Sequence, residues 1–174
     1  MESLGLTRFN WIDLLSIVLI LRMSYSGMRS GLATELARGI AVLVALVVCL
    51  RLYPGVAYMM TQRAGINPGW ATAVAFAVTA IGPYLSTRLT LFLAQKLVTL
   101  QFISVLERGG GLAAGVVRGI LVTSLVLNFL QVLPSGYLKA SIAERSLMGQ
   151  SISMVAPIVY TALGGKRVEA RRVR

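Results

Sequence analysis

The sequence contains no histidine, a single cysteine, and only six acidic residues among 174. Losing histidine removes the commonest general base and metal ligand. A serine–histidine arrangement cannot be built, and clusters with metal-ligand spacing are missing. Asp13 is the only aspartate, so an intramembrane protease using two aspartates is excluded as well. The glycine run at 109–111 is not followed by Lys-Ser/Thr, so it is not a phosphate loop. These absences predict a protein that is not an enzyme and uses no cofactor and no metal. Cys49 lies inside an apolar run, has no internal disulfide partner, and suits a small packing position. Charge is scarce too, at 13%, where soluble domains carry about a quarter.

What is abundant is apolar sequence: 56% hydrophobic residues and a mean hydropathy of +0.77. A soluble core of this size does not need so much, and the excess must face lipid. The net charge is +11. Its basic residues flank the apolar stretches, where they meet anionic headgroups. Basic clustering with interleaved aromatics is missing, so nucleic acid is not expected as a partner.

Four apolar segments are predicted, at about 11–28, 32 or 39 to 53, 70–94 and 109–133. The first has no small-residue cleavage site after it and is read as a retained anchor. The polar stretch 24–31 is expected to form a basic connection. Pro54-Gly55 is expected to break the second segment, and Gly82-Pro83 to kink the third. Pro134-Ser135-Gly136 ends the fourth. The segment 146–165 is uncharged but carries Gln150, several serines and Pro157. It is expected to lie on the membrane or to form a weak fifth span. The fold class predicted is all-α: a polytopic membrane helix bundle of four transmembrane helices plus a C-terminal interfacial or weakly spanning segment. The division predicted is a transmembrane domain over 1–136, then an amphipathic segment and basic tail over 137–174. Basic residues concentrate in the first and third connections (Arg22, Arg29, Arg38; Arg88, Lys96, Arg108), which places those connections inside and the N-terminus outside. The side of the basic tail stays open.

Two groups of residues stand out. Gly111, Gly115 and Gly119 lie four apart and share one helix face, where a neighbouring backbone can approach closely. Gly27 and Gly31 repeat the spacing once. Such faces serve internal packing or an interface with a partner or a second copy. The second group is Asp13, Arg22, Arg51 and Arg118, in or beside the apolar segments. Charges there must snorkel, pair or line a wet cavity. Arg51 is placed to snorkel, and Asp13 and Arg118 to form a buried pair or a polar cavity. Glu35 and Arg38 have the i,i+3 spacing of a local ion pair. Glu107 and Arg108 are the further loop charges.

Three stretches together resemble the colicin V production protein (CvpA) family. They are Asn10-Trp11-Ile12-Asp13, then Gly31-Leu32 with Glu35-Leu36, then Glu107-Arg108 leading into Gly111, Gly115, Arg118 and Gly119. The resemblance spans about 10–133. Glu107 stands where the family usually has aspartate, and Ser30 and Thr34 where basic residues are common. The resemblance implies a small bacterial inner-membrane protein of four helices, linked to bacteriocin production or export and to envelope maintenance. The function expected is accessory or scaffolding. The alternative is a small channel or transporter with a polar path around Asp13 and Arg118. The partners expected are the lipid bilayer and either another membrane protein or further copies of this chain.

Overall fold

The computed structural model describes residues 10–97, 104–143, 146 and 148–164, without the side chains of residues 93–97, 104–107, 139, 140, 143 and 150. The basic tail from Lys166 onward lies outside the described residues. Among the described residues six helices are formed: α1 (Trp11–Ser30), α2 (Leu32–Ala64), α3 (Pro68–Leu97), α4 (Ser104–Val132), α5 (Gly136–Ala143) and α6 (Gly149–Ala162). The first four are long and apolar enough to cross a membrane. The chain is an all-α polytopic membrane bundle with short C-terminal helices.

Local chemistry sets the helix ends. Asn10 and Asp13 form a reciprocal capping box at the start of α1, satisfying two otherwise unpaired backbone donors. The 24–31 stretch does not form the expected connection. It stays helical to Ser30, with the Ser24 hydroxyl donating to the Ile20 carbonyl. Its small residues are packing positions. The link to α2 is Gly31 alone, with φ +80° and ψ 160°, a conformation open to glycine and strained for other residues.

Pro54-Gly55 does not end the second helix either. α2 runs through it to Ala64 and stops at Gly65, whose φ of +63° is a left-handed cap. Proline removes one backbone donor, whereas leaving the helix inside an apolar medium would strand several groups. α3 opens with Pro68 in its first turn, where a missing N–H costs nothing. The Asn67 side chain accepts from the Gly69 N–H there. Pro83 lies within continuous α3.

α1 packs on α4, α2 on α3, and α2 also on α4. α1 and α4 run antiparallel: Gly27 faces Gly111 and Ile20 faces Gly119. The main core joins Val42, Leu46, Cys49 and Leu50 to Phe76, Leu121, Ala156 and Tyr160. Phe76 holds Tyr53 and Phe129 at ring centroid distances of 5.4 and 6.0 Å. A smaller cluster of Ile12, Leu127 and Ile142 closes the other side. The outward faces are apolar, with Leu14, Val18, Leu21 and Met28 exposed on α1 and Val78, Ile81, Leu85 and Leu89 on α3. Lipid tails are as apolar as these side chains, so such exposure carries no penalty in a bilayer.

α6 has 14 residues, about 21 Å of helix, short of the roughly 30 Å of a hydrocarbon core. It lies against α4 and reaches α2.

Candidate functional site

The glycine seam is the first feature the fold assembles. Gly27 and Gly111 face each other so closely that a Cβ on either would run into the other's carbonyl oxygen. A Cβ at Gly115 would lie 2.7 Å from the Met23 carbonyl and 3.0 Å from Ser24 Cα, and one at Gly119 would lie 3.0 Å from Ile20 Cα. A Cβ at Gly111 would also lie 3.2 Å from the Gly31 carbonyl carbon. Both glycine runs singled out in the sequence therefore meet each other, as the two sides of the α1–α4 contact.

The second feature is a carboxylate shared by two arginines. Glu35, in the first turn of α2, is fully buried. Its Oε1 accepts from Arg38 Nη1 at 2.9 Å, and Arg38 Nη1 also donates to Ser30 Oγ at 2.8 Å. Arg118 Nη1 stands 2.9 Å from Oε2. That contact is an ion pair without the alignment of a hydrogen bond, and Arg118 Nε has no acceptor among the described residues. Side chains on a helix lean toward its N-terminus. Arg118 on α4 therefore reaches back toward the end of the bundle where α2 begins. The pair links α2 to α4 from inside and neutralises an arginine deep in an apolar helix. Breaking such a pair leaves an uncompensated buried charge.

Asp13 belongs to a different place. It is buried, and its Oδ2 accepts from the Asn10 N–H at 2.9 Å. Its Oδ1 accepts from Ser146 Oγ at 2.7 Å and from the Met148 N–H at 2.8 Å. The carboxylate thus clamps the start of α1 to the chain entering α6. Ile12 packs with Leu127, so Asp13 stands near that level of α4, roughly 13 Å along the helix from Arg118 at about 1.5 Å per residue. Asp13 and Arg118, grouped in the sequence as a candidate pair, each have other partners.

A third polar group escaped sequence reasoning. Asn128 Nδ2 donates to the carbonyls of Ser124 and Ser153, both at 2.8 Å. Ser124 Oγ accepts from the Ala156 N–H at 2.9 Å and donates to the Ser153 carbonyl at 3.3 Å. These bonds fasten α6 across α4. The available signal was Ser124 and Asn128 at i,i+4 in an apolar helix, paired with the serines of a weakly apolar segment. Interhelical bonds of this kind join membrane helices.

The other charges stand outside the core. Arg22 and Arg51 are exposed and make no ion pair with a described residue. Arg29 is exposed, with its guanidinium 4.9 Å from the Tyr25 ring centre. Arg108 is exposed at the start of α4. The Glu107 side chain lies outside the described residues. Cys49 is buried, with Sγ 3.5 Å from the Phe76 carbonyl and from Thr79 Oγ1, a packing position. Among the described residues no group of His, Cys, Asp or Glu is placed to hold a metal.

Cavities open on the bundle among the described residues. One, of about 510 Å³, lies between α2, α4 and α6 beside Tyr53, Asn128 and Tyr160. Another, of about 250 Å³, lies between α2 and α3 beside Arg38 and Arg88. Neither is lined by Asp13 or Arg118.

The family model described as "Colicin V production protein" matches residues 12–157. The match passes Pro134, where the motifs read from the sequence stop, and takes in α5 and part of α6. No curated protein and no solved structure matches the chain.

Proposed function

The chain belongs to the colicin V production protein family, and we propose that it serves as an accessory or scaffold protein of the bacterial inner membrane. In this reading it supports the production or export of a peptide bacteriocin and the upkeep of the envelope. The observation that supports it is where the buried charges go. Asp13 holds α1 to the segment entering α6, and Arg118 holds α4 to α2 through Glu35. A permeation path needs polar groups free to meet a passing solute. Here the two best candidates are bound to the protein's own helices at different levels. Contact with a partner then falls to the exposed apolar faces and the basic end of the bundle, since the glycine seam is occupied internally.

The test separates the scaffold from a channel. Photo-cross-linkers at Leu21 and Leu85, on the exposed faces of α1 and α3, are introduced in native membranes. A scaffold captures one discrete membrane protein from either face, and a variant blocking that face loses function with the bundle intact. In parallel, Asp13→Asn and Arg118→Leu are assayed for function, insertion and assembly. Loss of function with assembly fully preserved would overturn the scaffold reading in favour of transport.

A further inference from the structure

The basic end of the bundle contains a site that the buried ion pairs do not use up. Arg38 and Arg88 line one cavity, and Arg38 shares the Glu35 carboxylate with Arg118. Glu35 is the only carboxylate described at this end, and it already pairs with Arg38 and Arg118. Two guanidiniums therefore share that carboxylate, and Arg88 adds a third positive charge beside the cavity that Arg38 lines. Arg88 is exposed and makes no ion pair with a described residue. Arg38 uses only Nη1, toward Glu35 and Ser30, which leaves Nε and Nη2 without a described acceptor. Between Arg38 and Arg88 lies the cavity of about 250 Å³, completed by Thr34, Ala37, Leu91 and Phe92.

Two arginines and a threonine lining one small cavity have the chemistry to recognise a phosphate-type oxyanion. The apolar wall adds a second requirement. Phe92 both lines the cavity and ends a stripe with Leu85 and Leu89, set three and four residues apart on one helix face. All three are exposed. An anionic headgroup seated between the arginines would send its acyl chains along that stripe. The volume suits a headgroup and excludes the chains, so the ligand must be amphipathic to fill the whole feature. The cavity lies near the end of the α3 span, among basic residues of the kind that meet lipid phosphates.

We propose that Arg38, Arg88 and Thr34 form a specific binding site for the phosphate of an anionic phospholipid, with its chains on Leu85, Leu89 and Phe92.

The test uses the full chain purified in detergent and native mass spectrometry. The probes are dioleoylphosphatidylglycerol, dioleoylphosphatidylcholine and inorganic phosphate. One phosphatidylglycerol per chain is expected to be retained, with phosphatidylcholine retained at least tenfold less. Arg88→Gln should weaken retention about tenfold, the loss of one charge-assisted contact. It removes no ion pair described here, so its melting temperature should match the parent's. Arg29→Gln, at the same end but outside the cavity, should leave retention unchanged. Leu91→Trp fills the cavity while keeping every charge, and should also release the lipid. Displacement by millimolar inorganic phosphate would support the oxyanion subsite and assign it to a soluble ligand. Resistance to phosphate supports the membrane lipid. Equal losses from Arg88→Gln and Arg29→Gln would overturn the proposal, as would full retention by Leu91→Trp. Either result means that the charge acts diffusely.

Discussion

Adding one methyl group at Gly115 tests the packing argument most directly. A Cβ there stands 2.7 Å from the Met23 carbonyl oxygen, 3.0 Å from Ser24 Cα and 3.3 Å from Gly27 Cα. All three are backbone atoms of α1 and cannot step aside by changing rotamer. Unstrained contact between heavy atoms is about 3.5–4.0 Å, so α1 must retreat by roughly 0.8 Å. A gap of that size forfeits about a quarter to a half of the dispersion energy of each contact it opens. Those contacts include the Gly27–Gly111 and Ile20–Gly119 approaches. Overpacking of this kind costs about 1–3 kcal/mol. The control is Gly109→Ala on the same helix, where nothing lies within 4 Å of the added Cβ. Alanine is the better helix former by up to about 1 kcal/mol, so the control should be neutral or stabilising. Both variants gain that propensity, so they should differ by the overpacking cost, about 1–3 kcal/mol, in reversible unfolding of the purified protein in mixed micelles. Gly115→Leu should go further and prevent the α1–α4 seam from closing. Equal stability of Gly115→Ala and Gly109→Ala would refute the reasoning. So would a Gly115→Leu protein with unchanged melting and oligomer size.

Arg118→Leu strands part of the charge on Glu35 and should destabilise the fold by about 3–5 kcal/mol. Adding Glu35→Gln to it should recover most of that loss, and an additive double-mutant cycle would contradict the pairing. Asp13→Asn weakens the acceptor of the Ser146 and Met148 bonds and should cost about 1–3 kcal/mol. Faster hydrogen exchange at the Met148 amide is the local readout, and unchanged exchange would argue against the clamp. Asn128→Leu leaves the Ser153 carbonyl short of a donor and should free α6, seen as faster proteolysis within 149–162 and an intact four-helix remainder. Cysteines placed at Thr34 and Gly65 should label from opposite sides of the membrane, Thr34 from the cytoplasm, and labelling of both from one side would remove the topology.

The four spans were legible because a bilayer reads composition directly. Long apolar runs with few charges must be helices in lipid, whatever their neighbours do. The glycine spacing in α4 was legible for a local reason, since helix faces depend on residues a few positions apart, whereas the Asn10–Asp13 cap was not read from the sequence. Helix ends were read less well where a residue had two meanings. Pro54-Gly55 has the composition of a break, yet α2 passes through it, because an apolar surrounding makes ending a helix costlier than losing one bond. Serines and glycines at 24–31 have the composition of a loop, yet they are the α1 side of the seam.

The sequence by itself determined that this chain lives in a membrane and that one face of α4 admits a close neighbour. Only the tertiary structure decided which neighbour. It brought Gly27 to Gly111, Arg118 to Glu35 instead of Asp13, and Ser146 to Asp13 across more than a hundred residues. The physical reason is that partition into lipid is set by each segment alone. The pairing of buried charges and small faces is set by which helices stand side by side, and a one-dimensional spacing does not carry that information.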